Sequence, residues 1–460
     1  MEDNPAGAWP APSEADWRRL VEKSLSGQPL STLAAKIEPG IAIDPLLPAA
    51  DRPPLWSRNG KAWMRLQRLG RGTDAATIAS SLATGADGFE IVAAGSGADY
   101  GDGLPLADLP ALLAEAPLDR GHWRLSAGSD GEAWANAFDA AVADGRLDPQ
   151  LLVIAFGLDP IGALASGRTD AADVPAFAAL VTRLAARGYT GPFASADARL
   201  VHGAGGTPSI ELGYALAALL AQLRALLDSG TSEDVAVRAI DVALAADEDQ
   251  FVTIAKFRAM RLLHARLFAA GGLPRQRLAL HAETSWRMLA AEDMNSNLIR
   301  TTIAALAAGL GGADSLTVLP FTAAIDPHDA EAERLALTTQ AILIEEARLA
   351  RVADPGAGSG TIEALTEALA EEGWQRFQAI ERDGGLLQSN ARERLQGDVA
   401  EAAERRRAAL ASGERGIVGV THFRAEGAAA RPEPPIAGEG GGTVGLHPRR
   451  ISAPFEGTAS

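Results

Sequence analysis

Cysteine is absent from the 460 residues. That excludes disulfides, a thiolate metal site and a cysteine nucleophile. Positive charge is in deficit: 42 Lys and Arg stand against 59 Asp and Glu, a formal charge of −17. A chain this acidic is a poor partner for nucleic acid or an anionic membrane, and the bland role of the excess is solubility. It does not favour an anionic ester either, unless basic residues gather locally. Histidine is sparse, and its seven copies show no close pair at the helical spacing of metal ligands. No run of 18 apolar residues reads as a membrane span. The start, MEDNPAGAWPAPSEADW, reads neither as a signal peptide nor as an Arg-rich transit peptide. The expectation is a cytoplasmic protein.

What is present is alternation. Strand-like runs fall at 88–93, 122–126, 151–156, 192–196, 237–244, 277–281, 315–318 and 351–353, with Ala/Leu-rich helical patterns between most of them. This rhythm predicts an α/β fold, a (β/α)8 TIM barrel over residues 61–385. An open doubly wound sheet is the alternative that pattern alone leaves. Residues 1–60 read as an N-terminal arm. Within it, 1–12 are expected to lack structure, and 14–26 form a helix with Trp17, Leu20, Val21 and Leu25 on one side. The Pro-rich segment 38–60 is extended. Its Leu46, Leu47 and Trp56 need a surface to lie on, either this barrel or a partner chain. Residues 386–431 read as a charged helix and a short strand at 417–423, and 432–460 as a disordered tail.

The stretch 335–385 is the most structured by pattern. A helix runs into the apolar piece at 351–353, a Gly/Ser-rich loop follows, and then a second long helix. That helix puts Ile362, Leu365, Leu369, Phe377 and Ile380 on one face, with Gly373 in the gap. Thr361 is placed to cap it, with Glu363 at the positive end of its dipole. This unit is predicted to close the barrel, and Asp354 to brace its Gly-rich loop.

The same stretch carries a resemblance. Thr339-Gln340, Glu345-Glu346, Val352-Ala353-Asp354-Pro355, Gly358-Ser359, Glu363, Leu365-Thr366, Glu381 and Gly384-Gly385 resemble the barrel of the methylmalonyl-CoA mutase family, in particular its small (beta) subunit. Ala255-Lys256, Arg258-Ala259 and Arg261 match the family again, as do His281, Thr284-Ser285-Trp286, Asp293, Asn297 and Arg300-Thr301. The resemblance implies a barrel, and adenosylcobalamin as the radical source for interconverting (R)-methylmalonyl-CoA and succinyl-CoA. It also implies a Tyr on an early loop and a His at a strand end, which together hold the migrating carbonyl.

Both polar groups depart from the pattern. Residues 66–73 hold no Tyr, and the family His falls on Leu200, with His202 two residues later. The cobalamin motif D-x-H-x-x-G finds its nearest spelling at 326–331, with Glu331 at the Gly position, and reads as a helix start. The chain is therefore expected to be a non-catalytic small subunit without a cobalamin domain. Adenosylcobalamin and the acyl-CoA substrate are then expected on a large (alpha) subunit, its partner. Two alternatives stay open: a substrate-binding barrel served by a separate cobalamin-binding chain, and an unrelated barrel enzyme. No catalytic, cofactor or metal residue is assigned. The candidate pocket-rim residues are His202, His281, Glu283 and Thr284, with His281 and Glu283 either an acid–base pair or a satisfied polar rim. Gly203 to Gly206 form an anion nest or a tight turn. Arg405, Arg406 and Arg407, amid Glu401 and Glu404, read as a solvated helix face.

Overall fold

The computed structural model describes residues 13–424 and 445–457. The expectations for 1–12, and for the part of the tail between these spans, lie outside the described residues. Strands in chain order are β1 Ala35–Glu38, β2 Ile41–Ile43, β3 Met64–Leu69, β4 Gly88–Val92, β5 His122–Ser126, β6 Val153–Ala155, β7 Ala194–Asp197, β8 Ile240–Ala246, β9 Leu280–Thr284 and β10 Ser315–Thr317. Helices are α1 Glu14–Ser24, α2 Ala75–Ala83, α3 Leu109–Glu115, α4 Gly131–Asp144, α5 Pro160–Ala165, α6 Val174–Ala186 and α7 Arg199–Ala204. They continue as α8 Pro208–Asp228, α9 Glu233–Ala236, α10 Gln250–Ala270, α11 Met294–Gly311, α12 Ala330–Ala341, α13 Gly360–Arg382 and α14 Ser389–Ala411.

The expected TIM barrel is present. Eight strands lie parallel in the order β6-β5-β4-β3-β10-β9-β8-β7. The seam between β6 and β7 is closed just past the end of β6: the Phe156 N–H donates to the Pro192 carbonyl at 3.0 Å, and Leu158 and Ser195 follow at 3.2 and 3.0 Å. The outward faces of the strands pack Phe89, Ile91, Trp123, Leu125, Leu280, Ala282 and Leu316 against the helices, all nearly or fully inaccessible to water. Each large side chain there is worth about 1.5–3 kcal/mol of burial.

The strand predicted at 351–353 does not exist; Leu349–Arg351 is a single 3-10 turn. Its place is taken by β3, which pairs with β10 and β4. Arg65, Gln67 and Arg68 interrupt the apolar pattern of β3 and hide it from a periodicity reading. The stretch 335–385 therefore does not close the barrel. Its second helix, α13, lies outside the barrel across α8 and α10, with Leu365, Leu369, Phe377 and Ile380 buried. Gly213 of α8 and Gly373 of α13 set the crossing distance. A Cβ on Gly213 would sit 2.5 Å from the Arg376 Cβ, and one on Gly373 would sit 3.0 Å from the Leu212 Cβ. Ser359 occupies the cap position of α13 and Thr361 lies inside the helix, which begins two residues earlier than predicted. The predicted strand at 417–423 is a turn carrying one isolated bridge, Val418 to His422.

The arm lies on its own barrel. β1 and β2 form a hairpin whose Ile41 and Ile43 are buried, in part against α13. Ala50 donates its N–H to the Gly358 carbonyl at 3.0 Å, and Leu55 donates to the Asp354 carboxylate at 2.7 Å. Asp354 thus ties the arm to Arg258 of α10. Trp56 covers Gly312, where an added Cβ would come within 2.7 Å of the indole, and Arg58 donates to the Ala313 and Gly309 carbonyls. Helix α1 has no buried residue. Among the described residues one helix, α8, is long and apolar enough to cross a membrane, although Glu211, Gln222 and Arg224 interrupt its apolar run. Eighty-three per cent of its apolar window is buried inside the fold, as befits a core helix.

Candidate functional site

The strands alternate, but against the habit of TIM barrels. Barrel interiors are commonly filled by layers of branched aliphatic side chains. Here the inward register carries Arg68 of β3, Glu90 of β4, Arg124 and Ser126 of β5, Asp241 of β8, His281 and Glu283 of β9 and Thr317 of β10. These groups meet across the axis, and all are buried.

Glu90 is the hub. One carboxylate oxygen accepts from Arg199 and from Ser126, both at 2.8 Å. The other lies 3.2 Å from His281 Nε2 and accepts from Thr317 at 2.7 Å. Glu283 is the second anchor. It pairs with Arg68 at 3.1 Å and Arg199 at 3.2 Å, and accepts from the Tyr100 hydroxyl at 2.7 Å. Arg68 turns on to Asp102 at 2.6 Å, and Arg124 bonds Asp241 and the Ser195 hydroxyl.

Burial separates the two carboxylates. It opposes ionisation of both, but Arg199, His281 and Arg124 overcome it at Glu90 and hold that carboxyl well below its usual range. At Glu283 burial prevails over Arg199 and lifts the group to about 7. Burial, helped by Arg124, keeps His281 neutral at physiological pH. Tyr100, raised first by burial and then by Glu283, stays protonated and donates.

The site has the residue types of acid–base chemistry, and among the described residues the cavities beside it are small. A cavity of about 30 Å³ adjoins the network beside Arg124, Asp159 and Asp197, and one of about 10 Å³ lies beside Tyr100, His202 and Glu283. These hold a water or two. A bound organic ligand needs several hundred Å³.

The predicted rim residues separate. His281 and Glu283 do face the axis, but they are not a pair: His281 goes to Glu90, and Glu283 to the arginines and Tyr100. Thr284 points the other way and accepts from the Leu319 N–H at 2.8 Å. His202 sits on α7, not on a strand face. Its Nε2 is 2.7 Å from the Ser285 hydroxyl, and its Nδ1 is 3.5 Å from Glu211. Serine, imidazole and acid in that order have the outline of an activated nucleophile. Glu211, however, is held by Lys256 at 2.6 Å and by the Ala245 N–H at 2.9 Å, and Ser285 is sealed from solvent. Burial, with Arg287 and Lys256 nearby, keeps His202 neutral. The sequence reading missed Arg68, Glu90, Tyr100, Arg124, Arg199 and Asp241. The signal was in GFEIV, HWRLS and IDVALAA, where a charged residue stands in one register and apolar residues in the other.

The C-terminal mouth of the barrel is covered by the chain's own end. Residues 445–457, expected to be disordered, form a strap. Leu446, Arg449 and Ile451 donate backbone N–H groups to the carbonyls of Ala165, Gly203 and Arg287 at 2.9–3.1 Å. Arg450 is buried and holds the Leu289 carbonyl and the Glu456 carboxylate. A corrin does not fit at this mouth. The strap lies over the loops after β7 and β9, and the two nearby histidines, His202 and His281, are buried and already bonded. Among the described residues no group of three His, Cys, Asp or Glu is placed to hold a metal ion. His328 lies in the turn before α12, as the helix-start reading of that segment expects.

The profile described as Methylmalonyl-CoA mutase matches residues 194–437. A protein of Mycobacterium bovis named probable methylmalonyl-CoA mutase small subunit is 40% identical over 334 residues, 70% of this chain and 53% of that one. The methylmalonyl-CoA mutase small subunit of Streptomyces virginiae is 36% identical, over 91% of this chain and 71% of that one. The large subunit of Propionibacterium freudenreichii is 34% identical over 51% of this chain and 32% of its own. The chain thus spans about half the length of the Mycobacterium relative. With the barrel as found, the family profile over residues 194–437 and a relative matched along 91% of this chain, the chain belongs to the methylmalonyl-CoA mutase family.

Proposed function

We propose that this chain acts as a small (beta) subunit of an adenosylcobalamin-dependent methylmalonyl-CoA mutase, the isomerase that interconverts (R)-methylmalonyl-CoA and succinyl-CoA. Its own barrel is a non-catalytic scaffold that stabilises a large subunit. That partner binds both the acyl-CoA and adenosylcobalamin, and the chain alone is inactive. A cytoplasmic location belongs to the same reading.

One observation carries it. The axis where a substrate arm would lie is filled by the Glu90, Arg199 and Glu283 network, with cavities of only about 30 and 10 Å³ beside it. Emptying that axis means stranding charges in a low-dielectric interior, which costs several kcal/mol per ion. A scaffold has no need to empty it. The alternative of a substrate-binding barrel served by a separate cobalamin chain requires an open axis.

Co-expression with a catalytic large subunit tests the proposal. Gel filtration is expected to give one complex, with mutase activity in that peak and none in the small chain alone. Separate elution of the two chains, or turnover by this chain with added adenosylcobalamin, would overturn it.

A further inference from the structure

A cavity far larger than those on the barrel axis lies outside it. It is a groove of about 460 Å³ between α14 and the C-terminal strap, floored by the end of α7 at Gly203 to Gly205. Its volume falls in the range of small-molecule sites. One part of its lining is apolar, with Val399, Ala400, Leu410, Leu446 and Ile451. The other part is charged, with Arg287, Arg406, Arg407, Arg449 and Arg450 against one acid, Glu404.

The cations are not balanced. Arg287 is engaged by Asp247 at 3.2 Å and by the His202 and Gly206 carbonyls. Arg406 bonds only the neutral Gly205 carbonyl, at 2.9 Å, and among the described residues neither it nor Arg449 has a carboxylate partner. The acids nearest in sequence are spent elsewhere: Glu404 on Arg407, and Glu456 on Arg450. The charge of Arg287, and then burial, pulls the Arg406 guanidinium down to about 9. The sequence reading of residues 405–407 as a solvated face therefore holds for Arg405 and Arg407, while Arg406 turns inward to the groove. Asp247 and Glu248 offset the effect of Arg287 on Arg406 only in part and from a distance, and a half-buried guanidinium without a bonded carboxylate is unfavourable. In a chain of net charge −17, a local positive wall is where an anion concentrates. A bare inorganic anion would leave the apolar wall uncovered, and a neutral lipid would leave the guanidinium unpaired.

We infer that this groove binds a small amphipathic organic anion, an acyl carboxylate of medium chain length, with its carboxylate at Arg406 and Arg449 and its chain along Val399, Ala400 and Ile451. The site is separate from the barrel axis and does not depend on the subunit role proposed above.

Calorimetric titration of decanoate into the full chain tests this, with decanol and inorganic phosphate as the tail-only and charge-only controls. Saturable one-to-one binding of decanoate is expected, with each control at least ~10-fold weaker. Arg406→Gln is expected to weaken decanoate by at least ~10-fold. Ala400→Trp, which fills the groove from an exposed helix position, is expected to abolish binding while leaving the thermal midpoint unchanged. If Arg406→Gln fails to fold, Ala400→Trp decides alone. Absence of saturable decanoate binding to the unaltered chain would overturn the inference. So would unchanged affinity in Ala400→Trp, or a control that binds as tightly as decanoate.

Discussion

The barrel axis and the groove beside α14 are both rich in arginine, and they treat it in opposite ways. On the axis, Arg68, Arg124 and Arg199 each face two or three carboxylates, and the space is consumed by the pairing. In the groove, Arg406 and Arg449 face an open volume of about 460 Å³. A satisfied cluster is structure, whereas an unsatisfied one next to space is capacity for a ligand. The residue types alone do not distinguish the two regions; their partners do.

Breaking the axis should cost most. Glu90→Leu removes the buried carboxylate shared by Arg199, Ser126, Thr317 and His281, and a loss of roughly 3–5 kcal/mol in urea unfolding at pH 7 is expected. Next is the strap that separates the two regions. Arg450→Met removes the bonds to Leu289, Ser452 and Glu456, with an expected loss of about 1.5–3 kcal/mol and faster proteolytic release of the C-terminal segment.

The third prediction concerns Asp159, at the edge of the axis. Burial raises its carboxyl to about 8. A carboxyl raised on folding binds its proton more tightly in the native state, so its contribution to stability falls as pH rises from about 4 to 8. Asp159→Asn keeps the cap to the Gly162 N–H and cannot ionise. The variant should therefore gain on the original by up to about 1.4 kcal/mol per pH unit across that window, read from urea midpoints at pH 5, 7 and 9. The smallest effect belongs to the groove. Arg406→Leu should change stability by less than ~1 kcal/mol, because no ion pair is broken. A loss there as large as that of Glu90→Leu would erase the distinction between the two regions.

Much of the scaffold could be read from the chain. The strand at His122–Ser126 was legible to the residue, and the other barrel strands, apart from β3 and the one misplaced at 351–353, within a few positions, because their outward faces are apolar; the β1–β2 hairpin was not read as strands. β3 was not legible, since Arg65 and Arg68 are inward or edge-bound charges that resemble a loop. The strap was hidden for a different reason. Leu446, Arg450 and Ser452 sit in a Pro/Gly-rich context, and only contact with the barrel mouth orders them. His281 and Glu283 were found because they stand at a strand end. Their partners come from β3, β4, α7 and the loop carrying Tyr100, far apart in sequence, and no local pattern joins them.

The most direct measurement is a titration of methylmalonyl-CoA into the isolated chain carrying Ala400→Trp, so that only the barrel axis is under test. A filled axis predicts no saturable heat at millimolar ligand. One-to-one binding there would contradict the account of this barrel as a scaffold.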